Sequence, residues 1–293
     1  MTAFRDIRRS DIQPMANAIR APENLARFWR GCGHYLLMFR AWLVLVALLS
    51  SAAWGQAPAY SAAGMVNASN YTPGPFAPNS IVTIFGSNLS RSTQGLTPGD
   101  IQNNTLPKEL NSTQVFVMNE PVPLLYVSGS QVNFLVPSNQ RDWDVQVRVV
   151  CQGQTGPEIT VTVVDAAPAL FQTVAGYAIA THLDNSLVAP DSPAHAGEII
   201  VVYAAGLGMT QPNLDPGVIP QNAALIQRLS DLKVYLGGTA IDPARIQYAG
   251  LTPGSAGLYQ INLVLPDSLG TDPEIRVAVA AQSSPAGLKL AVQ

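Results

Sequence analysis

Side chains able to do chemistry are sparse in this 293-residue chain, and their spacing completes no catalytic set. From residue 56 onward there are two histidines, His182 and His195. His195 lies in Asp191-Ser-Pro-Ala-His-Ala-Gly-Glu198, which gathers an acid, a hydroxyl and an imidazole in one short stretch. A Ser-His-Asp triad is a three-dimensional arrangement, and close neighbours in an extended, Pro-containing segment rarely aim at one another. The stretch reads as a solvated loop ahead of a strand. His182 stands beside no Cys or second His at metal-ligand spacing. Asp142-Trp143-Asp144 places two carboxylates on one side of an extended segment, but their adjacency does not supply the gap a glycosidase pair needs. It reads as a solvated turn around a buried Trp. Asp184-Asn-Ser186 and Asp272-Pro-Glu274 carry oxygens of the kind Ca²⁺ takes, without an EF-hand or repeat pattern. Gly206-Leu-Gly208 follows a strand pattern yet lacks the third Gly and the helix of a nucleotide loop. Neither Gly-x-Ser-x-Gly nor His-Glu-x-x-His occurs. These observations nominate no catalytic, cofactor-binding or metal-binding residue, and the chain reads as a non-enzyme with no cofactor.

Tyrosines are a different kind of signal. Tyr71, Tyr126, Tyr203, Tyr235, Tyr248 and Tyr259 fall mostly at strand positions. A tyrosine joins a flat apolar ring to a polar tip, which suits a ligand face as well as core or edge packing. Tyr126, Tyr248 and Tyr259 are the ligand-face candidates, with packing as the competing role.

The elements that would hold these residues read as strands. Gln131-Val-Asn-Phe-Leu-Val-Pro137 has a second copy, Gln260-Ile-Asn-Leu-Val-Leu-Pro266. In each, Gln and Asn sit two apart on one face, large apolar residues fill the other, and Pro stops the run. Val132, Phe134 and Val136, with Ile261, Leu263 and Leu265, are expected in the core, while Gln131 and Asn133 satisfy neighbouring polar groups. The flanks repeat as well. Ala196–Gly208 answers Pro78–Leu89, with Gly206 near the place of Gly86; Leu232–Ile241 answers Gln114–Val122; Ile246–Gly250 answers Leu124–Ser128. Glu274–Ala281 and Gly287–Val292 answer the closing pair, Asp144–Cys151 and Glu158–Val164. The offset is 118 at Ile81/Ile199 and 129 at Gln131/Gln260, a rise confined to loops such as Thr252–Gly257, where insertions are tolerated. Gln172–Ala189 is added material expected to form a hairpin turning at Asp184-Asn185. With 23 Gly, 23 Pro and almost no helical periodicity, the chain reads as all-β: two tandem sandwiches. The expected boundaries are 65–166 and 167–293, with 56–64 as a linker and Arg91–Pro107 as a long loop.

Residues 1–55 are of another character. They hold seven Arg against three acids, whereas 56–293 hold nine Lys+Arg against sixteen Asp+Glu. An acidic body lacks the clustered cations that phosphate binding needs, so nucleic acid is excluded as a partner. Ala41–Leu49 is an apolar run after Arg40, followed by Ser50-Ser-Ala-Ala-Trp-Gly55, the pattern of a secretory signal peptide cut after Gly55. The run is short for a membrane span, so membrane contact is expected only through this segment if it is retained. Met38-Phe-Arg40 makes a compact start to such a signal and marks Met38 as a second possible start site. The two cysteines, Cys32 and Cys151, fall on either side of the cut, and Cys151 is expected as a buried, inert thiol.

Taken together, "VNASNYTPGPFAPNSIVTIFGSNLS", "PVPLLYVSGSQVNFLVP", "APALF", "AGEIIVVYAAGLG" and "LTPGSAGLYQINLVLP" closely resemble the uncharacterised C-terminal domain family named after Solibacter, found in exported acidobacterial proteins. "NSIVTIFGSNL" is also similar to the IPT/TIG type of immunoglobulin-like domain. The resemblance covers roughly residues 64–293 and implies immunoglobulin-like sandwiches; it transfers no catalytic residue. The function expected is an exported, non-enzymatic module pair for cell-surface attachment, spacing or protein–protein contact. The alternative is a module pair that binds extracellular polysaccharide. The expected partner is accordingly an extracellular protein or polysaccharide, and the location secreted, periplasmic or cell-surface.

Overall fold

The computed structural model describes residues 55–139 and 143–293, without the side chain of Trp143. The export segment, Met38, Cys32 and Asp142 lie outside the described residues. The first half contributes β1 (Ala59–Asn67), β2 (Ile81–Ser87), β3 (Gln94–Gly95), β4 (Thr113–Val117), β5 (Glu120–Pro121), β6 (Leu124–Val127), β7 (Gln131–Leu135), β8 (Trp143–Cys151), β9 (Gln154–Thr155) and β10 (Ile159–Val163). The second contributes β11 (Ala169–Leu170), β12 (Ala180–Thr181), β13 (Ile199–Ala205), β14 (Thr210–Gln211), β15 (Ala224–Ile226), β16 (Leu232–Leu236), β17 (Thr239–Ala240), β18 (Ile246–Leu251), β19 (Tyr259–Val264), β20 (Ile275–Val279) and β21 (Gln282–Ser283). Among the described residues there is no α-helix, and none is long and apolar enough to cross a membrane.

Each half packs one sheet on another. In the first, the order β1-β2-β7-β6-β3 faces β10-β8-β4-β5; in the second, β11-β13-β19-β18-β15-β14 faces β17-β16-β20-β21. The correspondence extends to register. Thr83 stands opposite Asn133 as Val201 stands opposite Asn262. β6 and β18 carry the same irregularity, so that Tyr126 and Tyr248 both face the central Asn of the neighbouring strand. A bulge repeated at one place in two copies is a feature of the fold. Gly206 falls opposite no Gly86 in this register; its counterpart is Asn88, and the two share left-handed backbone at φ 71° and 56°.

Alternation along the central strands explains the two cores. Val132 and Phe134 point in, with Val82, Ile84, Val115, Val145 and Val147. Ile261, Leu263 and Leu265 do the same with Ile200, Val202, Val234 and Val277. Cys151 is buried and unpaired, as expected. Gln131 and Asn133 face outward and bond to each other, Nε2 to Oδ1 at 2.9 Å, and Gln260 and Asn262 repeat this at 3.0 Å. Thr83 adds a hydrogen bond to Asn133 at 3.0 Å.

Three expectations change. Residues 56–64 are not a linker: most belong to β1, the edge strand on β2. Its small residues lie half outside the core, so they show none of the apolar alternation that announces a strand. Arg91–Pro107 holds β3 and a 3₁₀ turn, Pro98–Asp100. Gly287–Val292 runs beside the start of β20 but forms single bridges, because Pro273 has no N–H for the ladder. The hairpin at Asp184-Asn185 does form, with Asn185 at φ 68° and Ser186 bonded to Asp184.

A third apolar cluster joins the two halves: Leu106 and Leu135 from the first, Ile219 and Ala256 from the second, with Ile81, Leu96, Ile101 and Leu125 against it. Gly257, at φ 78°, lets the chain pass where a Cβ would fall 2.5 Å from Leu135 Cδ1 and 2.8 Å from Ile81 Cγ1. Ser138 donates across to the Leu214 carbonyl at 2.6 Å, and Asn104 to that of Ile219.

Phe134 is 2% exposed in the middle of the first core. Phe134→Ala is expected to cost about 3–5 kcal/mol and lower the melting temperature markedly; an unchanged melting curve would refute its inward placement.

Candidate functional site

The three candidate tyrosines have separate fates. Tyr259, at the start of β19, is fully buried in the core of the second sandwich; its hydroxyl donates to the Gly208 carbonyl and lies 3.5 Å from that of Pro78 in the first half. Burial drives its phenol far above the ordinary tyrosine range, opposed by a hydrogen bond with Asn79. Tyr259 therefore offers no ring face to a ligand, a correction to its candidacy. The equivalent position in the first copy is Ser130, which is exposed, so the large ring is present only where the second sandwich abuts the first. Tyr248 is half-buried and its hydroxyl is committed, donating to Leu251 O at 2.7 Å and accepting from Ala224 N at 3.3 Å. Burial raises its pKa. Tyr126 alone keeps an outward, half-exposed ring, across from Asn133 and beside Gly95.

That outer face of the first sandwich holds the aromatic pair that strand patterns did not single out. Phe85 ends the row Ile81, Thr83, Phe85 and is 40% exposed; Tyr71, from the loop before β2, is 61% exposed. Their ring centroids are 6.2 Å apart at a 35° tilt. Tyr71 is held by its N–H to Asn67 O at 2.8 Å, in a loop pinned by the Asn67 and Asn70 side chains bonding Ser69 and Thr72. Its φ of 58° is strained for an aromatic residue. Phe85 lies opposite Gln131, so two exposed rings adjoin a row of uncharged amides. Aromatic faces beside amide donors and acceptors can stack on and hydrogen-bond a neutral polyol.

The polar motifs resolve into structural roles. Asp272 accepts from the Tyr177 hydroxyl at 2.8 Å, and Glu274 accepts from Gly287 N at 2.8 Å. Asp144 lies in β8 and accepts from Thr162 at 2.7 Å. No group of three or more His, Cys, Asp or Glu suited to a metal occurs among the described residues. The fold does unite His182 with the His195 loop, through Glu198. Glu198 pairs with His182 Nδ1 through one oxygen and accepts His195 N–H at 2.9 Å through the other. His182 Nε2 lies 3.2 Å from Ser192 O. The bond to Glu198 raises the His182 pKa, burial opposing it; burial pushes Glu198 up, but its hydrogen bonds from His182 and His195 prevail and hold it low. The result is a carboxylate–imidazole clamp tying the added hairpin to the head of β13, with Ser192 Oγ 3.5 Å from His182 Nε2.

Comparison with known proteins follows this geometry. The IPT/TIG domain model matches residues 67–164, a third of the chain and nearly the whole first sandwich. No curated protein matches. Among solved structures, the chain is similar to the surface glycan-binding protein PbSGBP-B from Prevotella bryantii, with 12% identity, TM-score 0.25, and coverage of 80% of this chain and 42% of that one. It is also similar to SGBP-B from a complex xyloglucan utilization locus in Bacteroides uniformis, with 11% identity, TM-score 0.23, and coverage of 80% and 49%. The full extracellular region of plexin A4 gives 14% identity, TM-score 0.25, and coverage of 84% and 19%. The chain spans less than half the length of each. At these scores the assignment of two immunoglobulin-like sandwiches rests on the IPT/TIG match and the repeated strand order.

The clamp makes stability pH-dependent. Raised above its ordinary 6.5, His182 contributes stability below pH 6.5 that is lost as pH climbs through its folded value. Lowered from 4.5, Glu198 contributes above pH 4.5 and loses this as pH falls through its folded value. The melting-temperature gap between the chain and its His182→Gln variant should be widest between these limits and shrink above them. A gap independent of pH would show that the pair carries no charge-dependent stability.

Proposed function

We propose that this chain is an exported, non-enzymatic pair of immunoglobulin-like modules of the Solibacter-type family, which serves cell-surface attachment, spacing or protein–protein contact. The supporting observation is the apolar junction between the halves. Leu106, Leu135, Ile219 and Ala256, with Gly257 against Leu135, tie two separately cored sandwiches into one body, so partners at its two ends are held at a set distance. The module boundaries proposed are 65–166 and 167–293, with β1 added to the first. The IPT/TIG match supports the reading, as does the commitment of Asp272 and Glu274 to structural bonds. Small-angle scattering of the chain should fit one rigid conformer, and Gly257→Leu, which forces a side chain into Leu135, should broaden the distance distribution. Scattering that already demands a swivelling ensemble would count against spacing. Turnover of any member of an ester, peptide and glycoside panel would overturn the non-enzymatic assignment.

A second reading, binding of extracellular polysaccharide, is favoured by the exposed Tyr71–Phe85 pair beside the Gln131–Asn133 amides. On a glycan array, Phe85→Ala and Tyr71→Ala should each weaken neutral-glycan binding at least several-fold while the melting temperature stays put. Binding indifferent to both would remove this face from consideration.

A further inference from the structure

The two copies differ most tellingly on the outer face of their second sheets. In the first copy, Phe116 and Arg148 are cross-strand partners, and the guanidinium lies 4.8 Å from the ring centroid. Arg148 meets two oxygens through Nη1: it donates to Asn119 Oδ1 at 2.6 Å and pairs with Glu158 at 3.0 Å. In the second copy Tyr235 and Arg276 are partners at the same register. Asn119 is replaced there by Gly238, counted from the same hairpin. The bridge Glu274↔Lys289 sets a register that places Gly287 opposite Arg276, where the first copy has Glu158 opposite Arg148. Both acceptors of the first arginine have thus become glycines at the second. Arg276 donates to Ser283 Oγ at 3.0 Å, while its Nε is buried and meets no acceptor among the described residues.

Arg276 is also the middle of a row. Along β16, Leu232, Val234 and Leu236 point inward, so Lys233 and Tyr235 point out. Leu288 and Leu290 are buried, so Lys289 points out. Lys233 is opposite Ala278, Arg276 is two residues along β20, and Lys289 is opposite Glu274, two residues further. Each step therefore crosses one strand diagonally, about 7–8 Å. The first copy has Gln114, Arg148 and Thr160 at these places, one cation and that one neutralised. Arg148, Arg228 and Arg245 are paired with acids elsewhere; on this face Glu274 stands opposite Lys289 and accepts Gly287 N–H. The floor beside the row is a depression of about 400 Å³ lined by Tyr235, Gly238, Glu274, Arg276, Ala278 and Ser283.

We propose that this face of the second sandwich binds a carboxylated polysaccharide, a uronate-bearing chain. Its carboxylates meet the row Lys233, Arg276 and Lys289, with one seated on Arg276 in the way Glu158 is seated on Arg148. A polymer whose carboxylates recur at regular intervals matches cations set at a regular diagonal, and Tyr235 supplies a ring on which a pyranose stacks. The proposal rests on the polysaccharide reading above but uses a different face from the Tyr71–Phe85 pair.

The test is calorimetric titration of the full chain with oligogalacturonate and with a neutral galacto-oligosaccharide. Oligogalacturonate should bind and weaken as NaCl is raised. Arg276→Gln should weaken it about tenfold or more, the loss of a charge-assisted hydrogen bond. Gly238→Asn is the sharper variant: Asn119 already occupies this backbone at φ 70°, Gly238 is at 79°, and a Cβ there meets open space. The new amide should occupy Arg276 and weaken binding several-fold without lowering the melting temperature. If either variant unfolds, Lys233→Gln with Lys289→Gln at exposed positions makes the same test. Unchanged oligogalacturonate affinity in these variants overturns the proposal, as does tighter binding of polyglutamate, which would make the occupant a protein. Neutral saccharide bound through Phe85, with oligogalacturonate no better, leaves the polysaccharide reading intact and sinks this one. Binding of neither sugar sinks both.

Discussion

The pairing of β2 with β7, and of β13 with β19, sets where every other side chain in the molecule can go. Side chains alternate along a strand, so a slip of one residue would turn Val132 and Phe134 to solvent and drive Gln131 and Asn133 into the core. The amide pairs Gln131–Asn133 and Gln260–Asn262 help hold this register, since each is satisfied only on the outer face, where the partners lie two residues apart. The bulges in β6 and β18 then place Tyr126 and Tyr248 against the same Asn. Core and outward faces follow from that one alignment.

Duplication on a shared register makes the differences between the copies informative. Where the sandwiches meet, Ser130 of the first copy gives way to Tyr259, whose buried hydroxyl must find an acceptor and does so in the carbonyl of Gly208. Where the second sheet faces out, Asn119 and Glu158 give way to Gly238 and Gly287, and an arginine with two oxygen partners in one copy meets Ser283 Oγ in the other. The core positions hardly vary in kind.

Much of the fold could be read in advance because strand periodicity and turn residues are local. The duplicated Gln-x-Asn runs, the hairpin at Asp184-Asn185 and the inward set around Phe134 depend on neighbours along one strand. What went unread depends on contacts distant in sequence. β1 is built of small, half-exposed residues and shows itself only by pairing with β2. Tyr259 sits at an ordinary strand position, and only the abutting Pro78 and Gly208 carbonyls make it a junction residue. The pairing of Phe85 with Tyr71 needed a loop folded back across the sheet. The bond between His182 and Glu198 likewise spans 16 residues and joins two segments that look unrelated in the chain.

By itself the sequence determined an all-β chain, its internal repeat, the faces of its central strands and the scarcity of catalytic groups, because composition and alternation report local burial. Tertiary structure decided which outward residues remain available. Exposure and hydrogen-bond engagement are properties of neighbours brought together by folding: Tyr248, Tyr259 and Arg148 are engaged, while the rings of Tyr71 and Phe85 stand open.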